Sequence, residues 1–366
     1  MSGVATHPAT EVVKPPPTQV GALGWARANL FAGWFNSLLT LATFYLLLKT
    51  VPPLIQWAFI DSLWNTTSEA CRGIDGACWS FVPRNLRFIL FGFYPHDEQW
   101  RPLVAMVLLV ALLLVSRNRK LWKKPLAWAW GVGLVVMGVL MRGGILGLVG
   151  VETGEWSGLP LTLLLSVFGM VAAYPLGVLL ALGRQSRLPV IKSLCVVYIE
   201  MIRGVPLISL LFMSSVMLPL FLPEGLTIDK VLRALVAIIL FTAAYIAEVV
   251  RGGLQAMAKG QYEAAESLGL TYGQTMRLII LPQALKIVIP PTVGILISAF
   301  KDTSLVVIIA LFDVLNTTKS ALQSPKWLGF STEAYIFVAL IYFVCCYAMS
   351  NYSRRLEREL SPEARR

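Results

Sequence analysis

Four stretches of the chain carry no Lys, Arg, Asp or Glu: Ala28–Leu48, Trp156–Gly183, Gly204–Pro223 and Ala334–Ser353. Shorter clean runs at Pro102–Ser116, Pro125–Met141, Ala234–Ala247 and Ile287–Phe300 are interrupted by a single charge and continue as apolar sequence. A helix needs roughly 17–25 mostly apolar residues to cross a bilayer. The pattern therefore predicts eight spans, at about 33–60, 99–116, 126–149, 158–183, 193–223, 231–250, 286–311 and 333–353. The fifth is too long for one straight crossing, and Gly204 and Pro206 are the natural places for a break. The ten-residue alternating segments of a transmembrane β-barrel are absent. The fold class read from the pattern is an all-α integral membrane protein.

Composition closes off the other classes. Hydrophobic residues make up 57% of the 366 and charged residues 14%, against ~45–50% and ~25% in ordinary soluble domains. A soluble core could not hide that much apolar surface, which excludes a soluble enzyme, a nucleic-acid binder and a disordered scaffold. The net charge of +11 is read as membrane orientation, with lipid as the partner and no nucleic acid. With the N-terminus inside, segments 1–32, 117–125, 184–192, 251–285 and 354–366 hold 18 Lys and Arg. Segments 61–98, 150–157, 224–230 and 312–332 hold six. Both termini are therefore expected in the cytoplasm, with the cluster Arg117, Arg119, Lys120, Lys123, Lys124 as the clearest marker.

Residues 1–28, with Pro8, Pro15, Pro16 and Pro17, read as a disordered cytoplasmic tail, and 356–366 as a second tail. The outside loop 61–98 carries Cys71 and Cys78; spacing alone leaves both a disulfide and two thiols open. Cys195, Cys345 and Cys346 lie in apolar helices as small hydrophobes. His7 and His96 are the only histidines, so no metal site is expected, and no Walker lysine motif occurs. Arg142, beside Gly143 and Gly144, is placed within the third span near its outer end, where it can snorkel to the headgroups.

The inside loop 251–285 is the most informative segment. The run Tyr262–Leu268 favours a helix, Gly269 suits a left-handed stop, and Thr271 with Gln274 forms a capping box for a second helix. Pro282 is expected to end that second helix near the membrane. Ala264 and Ala265 leave the first helix thin on one side, framed by Glu263 and Glu266, so that a partner's groove can approach its backbone. A helix lying on lipid would carry a basic polar face, which this one lacks.

Glu263-Ala264-Ala265, three residues, Gly269, nine residues, Ile279, one residue, then Leu281-Pro282 resembles the EAA loop of bacterial ABC importer permeases at every motif position. Tyr198–Leu207, Ala244–Gly253 and Lys301–Leu305 resemble three further segments of the polar amino acid permeases. The resemblance covers roughly 155–355, the last five spans. The first three spans and the two-cysteine loop depart from a five-helix permease and are similar to the general L-amino acid permease subgroup of Gram-negative bacteria. The resemblance implies a type I importer core at 151–355 preceded by a three-helix extension at 29–150. It implies a chain that catalyses no bond breaking and binds no cofactor. A cytoplasmic ATPase pair using ATP and Mg, a second homologous permease subunit and a periplasmic amino-acid-binding protein are the implied partners. Glu263, Ala264, Ala265 and Gly269 would then couple to the ATPase, with Leu281 and Pro282 anchoring the loop.

Charges inside spans mark pathways or partners, because lipid tolerates them poorly. Glu200 with Arg203, and Glu248 with Arg251, stand three apart on a helical face and are read as structural or gating ion pairs. Lys301, Asp302, Thr303 and Ser304 lie about fifteen residues into the seventh span and form a polar patch. An amino acid zwitterion needs both a donor and an acceptor, so the patch is a candidate for solute contact; a polar lock between helices is the competing reading. An ion-coupled transporter would need buried acidic relays and internal symmetry, and a membrane enzyme a nucleophile or metal ligands at depth; neither pattern is visible.

Overall fold

The computed structural model describes residues 21–360 apart from 146, 224 and 226. Two compact units divide at Ser80/Phe81. In the first, α1 (Gly21–Asn29) is helical, where a disordered tail was expected through residue 28; the earlier part of that tail lies outside the described residues. Then comes α2 (Trp34–Ile55), which passes through Pro52 and Pro53 into a wide turn at Gln56–Ile60. No side chain of α2 is buried, as befits a helix solvated by lipid. Its loop holds the single helical turn α3 (Ser68–Cys71) and is cross-linked by a Cys71–Cys78 disulfide with Cα atoms 5.7 Å apart. Leu63 N–H donates to the Ala77 carbonyl at 2.9 Å, and the Trp79 indole donates to Ala58 at 2.7 Å, so the loop folds back on the end of its own span.

Among the described residues, the second unit contains the remaining α-helices: α4 (Phe81–Phe91), α5 (Trp100–Ser116), α6 (Lys124–Arg142), α7 (Gly158–Arg184), α8 (Pro189–Gly204), α9 (Leu207–Phe212), α10 (Leu218–Leu220) and α11 (Lys230–Gln255). After these come α12 (Lys259–Ser267), α13 (Tyr272–Thr275), α14 (Leu281–Asp302), α15 (Val314–Leu322) and α16 (Ser331–Leu360). Residues 81–150 of the expected extension thus pack in the same unit as the expected core. Among the described residues seven helical stretches are long and apolar enough to cross a membrane, or eight if the bent pair from α8 to α10 makes one span. That pair turns by 104° between Gly204 and Leu207, at the predicted break. Pro206 has no N–H to give α8 and instead starts α9.

Several boundaries differ from expectation. The sixth span continues to Gln255, past 250, and α16 continues to Leu360, past 353, so the described part of the expected tail at 356–366 is helical. The third span stops at Arg142, not 149, because Gly143 takes a φ of 65° and Val151 N–H folds back to the Arg142 carbonyl at 2.7 Å. Arg142 is therefore the last, exposed residue of α6 and not an interior one. The seventh span does not begin at 286; one continuous helical stretch runs Tyr272–Ile309.

The centre of the second unit is the α7–α11 pair. Gly169, Ala173, Gly177 and Ala181 recur every four residues on α7 and are all buried. A Cβ at Gly177 would meet Ile246 of α11 at 2.7 Å, so only a residue without one permits this approach. One core cluster joins Tyr94, Met141, Leu161, Leu165, Ile238 and Val306. A second joins Ala173, Ala181, Ile246, Val250, Ile280 and Val288. Phe312 and Asp313 make a short bridge with Ser157 and Gly158 that ties the start of α7 to the start of α15.

Candidate functional site

The loop between α11 and α14 is built by local rules. Gly269 has φ +71°; its N–H donates to Glu266 at 2.9 Å and that of Leu270 to Ala265 at 3.2 Å, the paired bonds of a Schellman stop. Thr271 and Gln274 form the reciprocal capping box that the sequence predicts. The Tyr262 hydroxyl reaches the Leu254 carbonyl at 3.5 Å, and Gln283 donates to Gln261 at 3.1 Å, so α12 is tethered to both spans it connects. Burial, and after it the neighbouring Tyr272, push the Tyr262 phenol up, so it remains a donor.

Two expectations need correction. Ala265 is only 1% exposed and packs inward, whereas Glu263, Ala264 and Glu266 are exposed. The surface open to another chain is thus Glu263, Ala264 and the highly exposed Leu268, with Tyr272 and Leu278 beyond the turn. The Ala-Ala pair is split by helical geometry, since neighbours on a helix point about 100° apart. Pro282 does not end a helix; it lies in the first turn of α14. The preceding wide turn, Met276–Ile280, makes room for the proline ring where a tight α-turn would clash. Leu281 is half-buried and Pro282 exposed, while Ile280 and Ala284 beside them enter the core.

Glu200, Arg203, Glu248 and Arg251 are brought together, and not as two separate pairs. Arg184, the last residue of α7, joins Glu200 at 2.8 Å and Glu248 at 3.4 Å. Arg203 lies 4.0 Å from Glu200 and 3.5 Å from Glu248, and its guanidinium stands 5.6 Å from the centre of the Tyr245 ring. The Arg251 Nε donates to Glu248 at 3.0 Å, and its Nη1 donates to Gln255 at 2.6 Å. Three helices are thereby cross-linked by three cations and two carboxylates. Local spacing exposes the i,i+3 pairs but not Arg184, whose only signal is a cation closing a long clean run.

The patch at 301–304 is dispersed. Lys301 and Asp302 are the last two residues of α14, ahead of a tighter 3₁₀ stretch, Thr303–Ile309. The Thr303 hydroxyl donates to the Phe300 carbonyl at 2.8 Å and that of Ser304 to Lys301 at 2.9 Å, so both are committed to their own backbone. Lys301 is exposed, while half-buried Asp302 lines a cavity of about 430 Å³ between α11 and α14. Thr242, Tyr245 and Ser298 are the other polar groups on its wall.

Two buried polar residues escaped sequence reasoning. Arg101, with no exposed surface, donates to the Leu140 and Val149 carbonyls at 2.8 Å each and pairs with Glu98 at 3.2 Å. Asp313, equally buried, caps α15 through Leu315 and Asn316 N–H and accepts from the Tyr342 hydroxyl at 2.7 Å. Only the acid immediately before a helical run signalled the second.

Comparison with known proteins places this geometry. The profile of the family described as binding-protein-dependent transport system inner membrane component matches residues 173–362. The chain is 50% identical over 347 residues to the inner membrane amino-acid ABC transporter permease protein YhdY of Escherichia coli K12, covering 93% of each chain. It is 40% identical to the glutamate/glutamine/aspartate/asparagine transport system permease protein BztC of Rhodobacter capsulatus, over 97% of this chain and 98% of that one. A crystal structure of an amino acid ABC transporter with histidines superposes at a TM-score of 0.50 and 34% identity, over 55% of this chain and 92% of that one. The near-complete overlap with YhdY and BztC takes in the N-terminal spans as well as the matched region. The chain belongs to the family of binding-protein-dependent transport system inner membrane components.

Proposed function

We propose that this chain is the membrane-spanning permease subunit of an ATP-driven importer of polar or general L-amino acids. Its α12 docks on a cytoplasmic ATPase pair, which binds and hydrolyses ATP with Mg. A second homologous permease subunit completes the pathway, and a periplasmic binding protein delivers the solute. The chain lies in a bacterial inner membrane with both termini in the cytoplasm, as the distribution of Lys and Arg favours.

The observation that carries this reading is the α12 hinge: a short exposed helix stopped by a left-handed Gly269 and hydrogen-bonded to the ends of α11 and α14. A partner that grips Glu263, Ala264 and Leu268 moves both spans, because the tethers leave α12 little independent travel. The five-residue ion network ends at Gln255, the last residue of α11, and so stands beside that lever. Its exchangeable ion pairs suit a bistable element whose two states a partner's ligand can bias. Asp302, in its cavity, is the acceptor for a solute ammonium group, with Lys301, Thr303 and Ser304 in the same stretch.

The experiment is Gly269→Pro in a transporter reconstituted with its ATPase and binding protein. Proline fixes φ near −65°, which the left-handed stop does not accept. Insertion should persist while ATP hydrolysis proceeds without uptake. Normal uptake by this variant would overturn the coupling role.

A further inference from the structure

Between Glu98 and Glu152 the chain has no acidic residue, and Arg117, Arg119, Lys120, Lys123 and Lys124 all fall in this interval. The fold brings the start of that cluster against the far end of the chain. Leu114, Arg117, Asn118 and Lys120, from the end of α5 and its loop, share a cavity of about 430 Å³ with Arg355 and Glu359 of α16. Glu359 accepts from Arg355 at 2.9 Å, which leaves the pocket with a net excess of cations.

Two tryptophans are bonded to Ser116 at the end of α5, next in sequence to the residues that line this pocket. The Trp122 indole donates to the Ser116 carbonyl at 2.7 Å, holding its half-exposed ring beside the end of α5, and Trp130 donates to the Ser116 hydroxyl at 2.8 Å. Leu121 is half-exposed and Trp128 is 74% exposed. Tryptophan at this level marks the headgroup layer, where an apolar ring and a polar edge are both satisfied. Orientation alone needs cations anywhere in the loop; it does not need them gathered with Arg355 around one cavity between two spans.

We infer that this cavity is a binding site for the phosphate headgroup of an anionic phospholipid, with Arg117, Lys120 and Arg355 as its ligands. Basic pockets between spans on the cytoplasmic side take such headgroups. The inference rests on the proposed cytoplasmic placement of this loop.

The test retains the full chain. Purified protein is exchanged into mixed micelles holding equal phosphatidylglycerol and phosphatidylcholine, and the lipid kept is counted by native mass spectrometry. Phosphatidylglycerol should be retained preferentially, and the preference should fall about five-fold for each cation neutralised in Arg117→Gln, Lys120→Gln and Arg355→Gln, the equivalent of ~1 kcal/mol per cation near an anionic surface. Arg187→Gln, outside the pocket, should leave it unchanged. Equal retention of the two lipids, or equal loss in Arg187→Gln, overturns the site. Full displacement by millimolar inorganic phosphate shows a free-anion site and overturns the lipid assignment. A photoactivatable phosphatidylglycerol added to the unmutated protein should label peptides spanning 114–124 and 354–359; labelling elsewhere alone overturns it without reliance on any variant. Asn118→Cys, labelled by an impermeant maleimide in intact and opened cells, separates a wrong orientation from a wrong site.

Discussion

At the residue scale, neighbouring polar groups differ in what satisfies them. Thr303 and Ser304 are committed to backbone carbonyls, whereas Asp302 faces the space between α11 and α14. Hydrogen bonds to a charged group contribute ~1.5–3 kcal/mol, or about a ten- to hundred-fold change in apparent solute affinity. Asp302→Ala should impair uptake by that order while insertion and assembly with the ATPase persist; unchanged uptake in proteoliposomes would remove Asp302 from the pathway. Tyr94 illustrates the committed kind. Its hydroxyl donates to the Met141 carbonyl at 2.9 Å, and burial, partly opposed by Arg101, pushes the phenol from 10.0 up to about 12. Between these values the unfolded chain ionises this tyrosine while the folded chain keeps the proton. Its stabilising contribution is therefore complete below pH 10 and lost as pH rises towards 12. Thermal midpoints in detergent should fall less steeply over that window for Tyr94→Phe than for the unmutated chain, and equal slopes would contradict the assignment.

At the element scale, the α7–α11 contact is set by small residues. The four-residue spacing of Gly169, Ala173, Gly177 and Ala181 is visible in the sequence, but it does not reveal which helix fills the groove. The structure supplies Ile246, with the Ala243 carbonyl 2.9 Å from where a Gly177 Cβ would stand. Gly177→Leu should force the helices apart and destabilise by ~1–3 kcal/mol, read as a lower thermal midpoint, while Gly131→Leu, with open space around it, should cost little. The same scale explains the misplaced helix end at Pro282. A proline in a helical pattern signals a stop. The sequence contains no comparable mark for the wide turn at Met276–Ile280 that lets the helix continue.

At the scale of the whole molecule, residues 81–150 are part of the machine's body. Tyr94 and Met141 lie in the same core cluster as Leu161 and Leu165 of α7. A chain beginning at residue 151 should therefore expose that cluster and elute as aggregate in detergent gel filtration, although an amino acid transporter structure covering 55% of this chain manages without an equivalent length; a monodisperse, stable truncation would show the extension to be dispensable for folding. Span type, and span number up to the bent pair from α8 to α10, were legible in the sequence because lipid acts on each segment separately: a charge-free run of sufficient length is apolar whatever its neighbours do. The caps of α12 and α13 were legible for a similar reason, since Gly269, Thr271 and Gln274 satisfy backbone groups within four residues of themselves. What depends on distant segments meeting was left to the tertiary structure. Arg184 joins carboxylates 16 and 64 residues away, Ala265 turns inward from its exposed neighbour, and Arg355 comes to line one pocket with Lys120. No local pattern encodes these encounters, because their energy exists only once the helices have packed and the choice of neighbour has been made.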